Sequence, residues 1–240
     1  MSGAGPCATK AVLLDALGTL LALQPPAPLL RSELERRFGL QVSEIDAQRA
    51  IRAEIEYYRA HLDEGRDAES LTALRCRCAD RLRAALPAAA RAELGDLGAV
   101  TEALLASLRF SAYADARPAL EELRRGGLRL VVVSNWDVSL HSVLQRIDLG
   151  ALLDGIVTSA EVGVRKPAPA IFEQALARVG AVPRNAVHVG DSPDEDVAGA
   201  RNAGIEPILI RRDGGPGSPS VHTISSLADL RGRLSFMVHG

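Results

Sequence analysis

A chain of 240 residues that is 47% hydrophobic and 24% charged can bury one sizeable core and a second, smaller unit, which excludes the disordered class. Its net charge of −2 comes from 28 basic and 30 acidic residues mixed along the chain, so no basic stripe points to nucleic acid. No apolar run approaches the ~20 residues of a membrane span.

In chain order, Met1 to Cys7 shows no charged segment ahead of an apolar one, so no secretory signal is expected and a cytoplasmic protein is. The apolar run 11–14 predicts a buried strand that ends in Asp15-Ala16-Leu17-Gly18-Thr19-Leu20, a carboxylate followed by a glycine turn. Gln24-Pro25-Pro26-Ala27-Pro28 is expected to interrupt regular structure as a hinge. From residue 29 to about 105, apolar residues recur at helical spacing, as in Leu30, Leu34 and Phe38 or Leu71, Leu74, Cys78 and Leu82, predicting about four helices. Cys76 and Cys78 lie in this stretch. With Cys7 they are few and odd in number, no second Cys/His pair completes a zinc site, and reduced thiols are expected.

Beyond Pro118 strand and helix signals alternate: helix 118–125, strand 128–133, helix 138–147, strand 155–158, helix 167–179, strand 186–189, helix 194–203 and strand 207–210. Short apolar runs separated by helices imply a parallel sheet with right-handed crossovers. The expected fold class is therefore α/β, a Rossmann-like parallel sheet core (1–21 and 107–240) split by an all-helical cap domain (22–106). Ligands of such sheets bind at the carboxyl ends of the strands. Asp15, Ser134 and Asp191 all fall there.

These residues suit phosphoryl or acyl transfer on aspartate. Asp15 is a candidate nucleophile, able to divide one hard hydrolysis into two easier steps; the plainer reading is a turn or cap former. Asp191 and Asp196, with Asp194 and Glu195 between them, offer oxygen ligands to Mg²⁺, shared with Asp15. Asp194 and Glu195 are the expected N-caps of the following helix. Lys166 is one of only two lysines against 26 arginines, at a position where a compact ammonium can hold a phosphoryl group. Ser134 and Asn135 offer a hydroxyl and an amide to a phosphoryl oxygen, or form a plain strand-ending turn. Trp136 and Asp137 are expected to pack against and cap the next helix, and His188, inside a strand, to be structural.

With these residues in place, the chain resembles the haloacid dehalogenase (HAD) superfamily, in the branch with a helical cap inserted after the first motif. Val133-Ser134-Asn135-Trp136-Asp137, Val162-Gly163-Val164-Arg165-Lys166-Pro167 and His188-Val189-Gly190-Asp191-Ser192 are similar to its second, third and fourth motifs. The resemblance covers about 10–21 and 107–212. It implies a cytosolic, Mg²⁺-dependent hydrolase, most often a phosphatase of a small phosphorylated metabolite, with neither nucleic acid nor membrane as partner. Carried onto this sequence, it makes Asp15 nucleophile and metal ligand, adds the backbone carbonyl of Leu17 as a ligand, gives the phosphoryl group to Ser134 and Lys166, and completes the metal site with Asp191 and Asp196. Specificity would rest on cap residues such as Arg49, Arg52, Tyr57, Tyr58, Arg59 or His61.

Residue 17 departs from the pattern. Phosphatases of the family have a second Asp there, a general acid–base worth ~10²–10⁴ in rate; dehalogenases have Tyr. Leucine can do neither job. Two alternatives stand beside a phosphatase: a dehalogenase-like hydrolase of a carbon–heteroatom bond, and a non-catalytic binding protein on the same fold.

Overall fold

The computed structural model describes residues 9–215 and 219–232. Cys7 and the N-terminal segment before residue 9 lie outside the described residues. The chain divides into two compact units, one formed by the chain up to Ala22 and from Ala112 onward, the other by Leu23–Ser111.

The strands, in chain order, are β1 (Ala11–Leu14), β2 (Leu21–Leu23), β3 (Phe110–Ala112), β4 (Arg129–Ser134), β5 (Gly155–Thr158), β6 (Ala186–Gly190), β7 (Glu206–Ile210) and β8 (His222–Ile224). Six form one sheet in the order β5-β4-β1-β6-β7-β8, and each neighbouring pair is parallel. β2 and β3 pair separately. The central strands β1 and β6 are buried throughout, as befits a parallel sheet covered on both faces by helices. Their sequences accordingly run apolar without alternation.

The helical unit holds α1 (Pro26–Phe38), α2 (Glu44–His61), α3 (Ala68–Ala85), α4 (Ala88–Glu93) and α5 (Leu97–Ser107). Leu30, Leu34, Ile51, Leu74, Leu82, Val100 and Leu104 form its core. Local chemistry sets the helix starts. Ser43 and Asp67 accept from the backbone N–H groups of Asp46 and Ser70, and Asp96 does the same for Ala99. The proline run is no interruption: Pro26 opens α1, within whose first turn a missing N–H has no partner to lose. The hinge expected there is replaced by a helix start.

In the sheet unit the helices are α6 (Ala116–Arg125), α7 (Leu140–Arg146), α8 (Ser159–Val162), α9 (Pro169–Val179) and α10 (Ala198–Asn202). α6 buries Ala116, Ala119, Leu120 and Leu123, one helical stripe, and closes on Arg124 and Arg125 at its negative end. The helix expected over 194–203 differs in form: a π-helical turn, Pro193–Val197, precedes α10. Its cap is Ser192, which accepts from the Glu195 N–H at 3.1 Å, while Asp194 and Glu195 stay exposed in the first turn. A hydroxyl at the boundary reaches that N–H, which carboxylates already inside the turn do not. The short strands β2, β3 and β8 are each three residues long, below the length at which periodicity declares itself.

Candidate active site

The register of the sheet brings the motif residues level. Leu14 stands beside Val132 of β4 and Val189 of β6, and the Asp15 N–H extends the ladder to the Val189 carbonyl at 2.9 Å. Asp15, Ser134 and Asp191 thus leave three adjacent strands at one end of the sheet. β4 and β5 extend it on one side of β1 and β6 to β8 on the other, so the crevice where strand order reverses falls beside Asp15.

Lys166 lies at the centre. Its side chain is 1% exposed, and its ammonium donates to Asp15 Oδ1 and to Asp196 Oδ1, each at 2.6 Å. Ser134 Oγ donates to the same Asp15 oxygen at 3.1 Å, so both bonds fall on Oδ1 and neither on Oδ2. Asn135 serves Lys166 rather than solvent. Its Oδ1 accepts from the Lys166 N–H at 2.8 Å and its Nδ2 donates to the Lys166 carbonyl at 3.1 Å. Both ends of the amide therefore hold the lysine's backbone. Asp137 Oδ1 accepts from the Ser139 N–H at 2.7 Å, at the entry to α7, and Trp136 is buried.

His188 belongs to this arrangement. It is fully buried in β6, edge-on to Phe172 with ring centroids 4.9 Å apart, and its Nε2 lies 2.8 Å from Asp196 Oδ1. A carboxylate only accepts, so Nε2 carries the hydrogen. Asp196 is held a second time through Oδ2, which accepts from the Ser192 N–H at 3.0 Å. A histidine flanked by valines in a strand reads as core, and eight residues separate it from its carboxylate across a turn. The only signal in the sequence was a polar ring within an apolar run.

Burial and the lysine oppose each other in setting the charges. Burial lifts Asp15 to a pKa of about 6 against the pull of Lys166, with the Asp196 charge adding to the rise. Burial acts on Asp196 the same way, but Lys166 and His188 together outweigh it and hold that carboxyl below its ordinary value. Burial would lower Lys166, yet the two carboxylates raise it, so it stays an ammonium. Asp191, an exposed residue whose carboxyl is partly shielded among its neighbours, is raised by that shielding and by repulsion from Asp196.

Asp15, Asp191 and Asp196 each offer a carboxylate oxygen, all within 4.8 Å of one another. One ammonium offsets only part of this charge, and an all-oxygen donor set is what a hard divalent cation takes. Glycine permits the close approach. A Cβ on Gly18 (φ +83°) would stand 2.1 Å from Asp191 Oδ2, and one on Gly190 would stand 2.1 Å from Asp196 Cγ. Leu17, in the same loop, is 37% exposed and carries no ionisable group. In the helical unit, Arg52 and Arg59 line a groove of about 470 Å³ with Pro25, Ile51 and Ile55. Arg49 pairs with Asp46, and Tyr57 stacks on His61 at 4.0 Å.

A family model for haloacid dehalogenase-like hydrolases matches residues 9–204. The chain is 41% identical over 101 residues to the glyceraldehyde 3-phosphate phosphatase of Methanopyrus kandleri, covering 42% of this chain and 43% of that protein. It is 36% identical over 124 residues to the phosphoserine phosphatase of Thermus thermophilus, covering 51% and 50%. The chain spans about half the length of the curated relatives it matches. Among solved structures it is similar to the HAD phosphatase from Thermococcus onnurineus, with a TM-score of 0.64, 26% identity, and coverage of 94% of this chain and 98% of that one.

Proposed function

This chain belongs to the haloacid dehalogenase-like hydrolase family, and we propose that within it the protein is a Mg²⁺-dependent phosphatase of a small phosphorylated metabolite, working in the cytoplasm through an aspartyl-phosphate on Asp15. The observation that carries this reading is the buried Asp15–Lys166–Asp196 arrangement beside Asp191. Relatives named as phosphatases support it. Few cysteines support the compartment; no helix among the described residues is long and apolar enough to cross a membrane.

The chemistry follows from the residues. Asp15 attacks phosphorus through a carboxylate oxygen; the bond from phosphorus to the leaving oxygen breaks, and the pair of electrons departs with that oxygen. Ser134 and Lys166, both donating to Oδ1, fix the carboxylate's rotation, and Lys166 offsets charge on the phosphoryl oxygens. Asn135 sets the lysine's backbone, and His188 with the Ser192 N–H sets Asp196. Mg²⁺ would be held by Asp15, Asp191, Asp196 and the Leu17 carbonyl, and would supply charge neutralisation to the transferring phosphoryl group. Water then attacks the phosphorus of the aspartyl-phosphate; the bond from phosphorus to the Asp15 oxygen breaks, Asp15 regains its carboxylate, inorganic phosphate leaves, and the water's proton passes to phosphate or solvent. Leu17 cannot protonate a leaving group or activate that water, so turnover is slow for substrates that need it. The helical unit, inserted between β1 and β4, takes the role of cap.

The test is release of inorganic phosphate from a panel of phosphorylated metabolites, with Mg²⁺ and with chelator. Mg²⁺-dependent release that Asp15→Asn abolishes is expected. No release from any member, with the protein folded, would overturn the reading in favour of a binding protein; metal-independent release of halide from 2-haloacids would favour the dehalogenase.

A further inference from the structure

Arg212 stands outside the catalytic set and bonds to the loop that carries Asp15. Its Nη2 donates to the Thr19 carbonyl at 2.6 Å, and its Nη1 donates to Asp115 Oδ2 at 2.6 Å. Its Cζ lies 4.0 Å above the ring of Tyr113, whose own N–H donates to the Leu20 carbonyl at 3.0 Å. Asp115 is anchored in turn. The same Oδ2 accepts from Ser226 Oγ at 2.6 Å and from the Leu227 N–H at 2.8 Å. Two successive carbonyls of the loop, 193 residues before Arg212 at Thr19, are therefore held by one group that joins Arg212 to Tyr113 and to Asp115, 97 residues before it.

The hydrogen-bonding capacity of this group is only partly used. Arg212 Nε, Asp115 Oδ1 and Thr19 Oγ1 are buried with no protein partner among the described residues. Unsatisfied buried atoms cost free energy, which offsets part of what the hydrogen bonds of this group contribute. A planar guanidinium instead gives direction, since its two donors fix the Thr19 carbonyl relative to Asp115. The loop has no slack to absorb a shift. Ala16's carbonyl accepts from the N–H groups of Thr19, Leu20 and Leu21, and Gly18's N–H donates to Leu21's carbonyl. Gly18 itself lies so close to Asp191 that a Cβ would meet the carboxylate. Thr19 thus directly follows the glycine packed against Asp191, in the same hydrogen-bonded loop that leaves Asp15.

We propose that Arg212, held by Asp115, is a positioning residue: through the Thr19 carbonyl it braces loop 16–19 and so sets the separation of the Asp15 and Asp191 carboxylates. Its catalytic consequence rests on the phosphatase reading above; the brace itself does not.

The experiment compares wild type with Arg212→Ala, Arg212→Lys and Asp115→Asn. Three measurements are made on each: amide hydrogen exchange of segment 15–21, the Mg²⁺ concentration at the midpoint of its thermal shift, and kcat and KM for an aryl phosphate. In Arg212→Ala, exchange in 15–21 rises about tenfold or more while β6 and α9 keep wild-type protection. The Mg²⁺ midpoint rises, and kcat falls by about 10–100-fold with KM little changed, the signature of misplacement rather than lost binding. Added guanidinium restores part of kcat in Arg212→Ala, and Arg212→Lys, with charge but no fork, recovers less than the native residue. Unchanged exchange in 15–21, or a lowered Tm with unchanged Mg²⁺ midpoint and kcat, would overturn the brace as a positioning device. If Arg212→Ala does not fold, Asp115→Asn, which keeps the oxygen but not the charge, decides it by the same readouts. Wild type that shows neither Mg²⁺ shift nor phosphate release overturns the phosphatase reading, and the exchange result still decides the brace.

Discussion

Asp15 sits under two opposed influences, burial that lifts its pKa to about 6 and an ammonium 2.6 Å away that draws it down. A neutral amide at this position keeps the size but loses both nucleophilicity and the charge paired with Lys166. Asp15→Asn is expected to lower phosphate release by at least ~10⁴-fold, on the scale of losing an essential member of a catalytic unit, with a circular dichroism spectrum unchanged. Retained turnover in the purified variant would put the chemistry elsewhere. Leu17 gives the complementary test. Being 37% exposed, it can be exchanged for Asp with little packing loss. Leu17→Asp is expected to raise kcat for an alkyl phosphate by ~10²-fold, the lower end of general acid–base catalysis, and less for an aryl phosphate, whose leaving group departs without a proton. A folded variant that gains on neither would show that leucine is not what limits the rate. Residues such as Asp15 and Lys166 were legible because each stands alone, a carboxylate directly after an apolar run and a lysine among arginines. Arg212 and Asp115 were not: one arginine among 26 and one aspartate at a helix entry carry no local mark.

α2 and α3 enclose a carboxyl that lies outside the strand-end site. Glu54 of α2 is buried, and burial raises its pKa to about 7 against a hydrogen bond with Cys78 of α3. The folded protein therefore keeps a proton that the unfolded chain releases near pH 4.5. The stability this contributes is whole below pH 4.5 and is lost as the pH rises through about 7. The loss is on the order of 3 kcal/mol. Urea unfolding at pH 5 and pH 8 should show it in wild type, and Glu54→Gln should lose clearly less across the same window, keeping only the smaller decline that the raised carboxyls of Asp15 and Asp191 contribute; parallel curves would remove Glu54 as the cause. Helical spacing marked α2 and α3 but not this burial, because a glutamate on an amphipathic helix is ordinarily on its wet face. The same gap explains the proline run. Composition marks a break, yet whether Pro26 breaks a helix or starts one depends on the conformation that follows.

For the molecule as a whole, Mg²⁺ binding should appear as stability. Asp15, Asp191 and Asp196 repel one another, and a cation that binds only the folded state adds RT ln(1 + [L]/Kd), about 2.7 kcal/mol at a hundredfold excess over Kd. For a protein of this size that corresponds to a rise in Tm of about 5–10 °C. Asp191→Ala should abolish most of it; an equal shift in the variant would exclude Asp191 from the site, and no shift in wild type would refute metal binding. The sequence alone determined the parallel α/β core and the strand-end placement of Asp15, Ser134 and Asp191, because buried strands and helix periods are local patterns set by side-chain geometry. Tertiary structure decided which partners those residues have. Lys166 bridges Asp15 and Asp196, Asn135 holds the Lys166 backbone, His188 steadies Asp196, and Arg212 reaches across 193 residues to Thr19. All of these but the His188–Asp196 pair join residues at least 30 positions apart in the chain, and only the register of the sheet and the packing of its connections bring them within hydrogen-bonding distance.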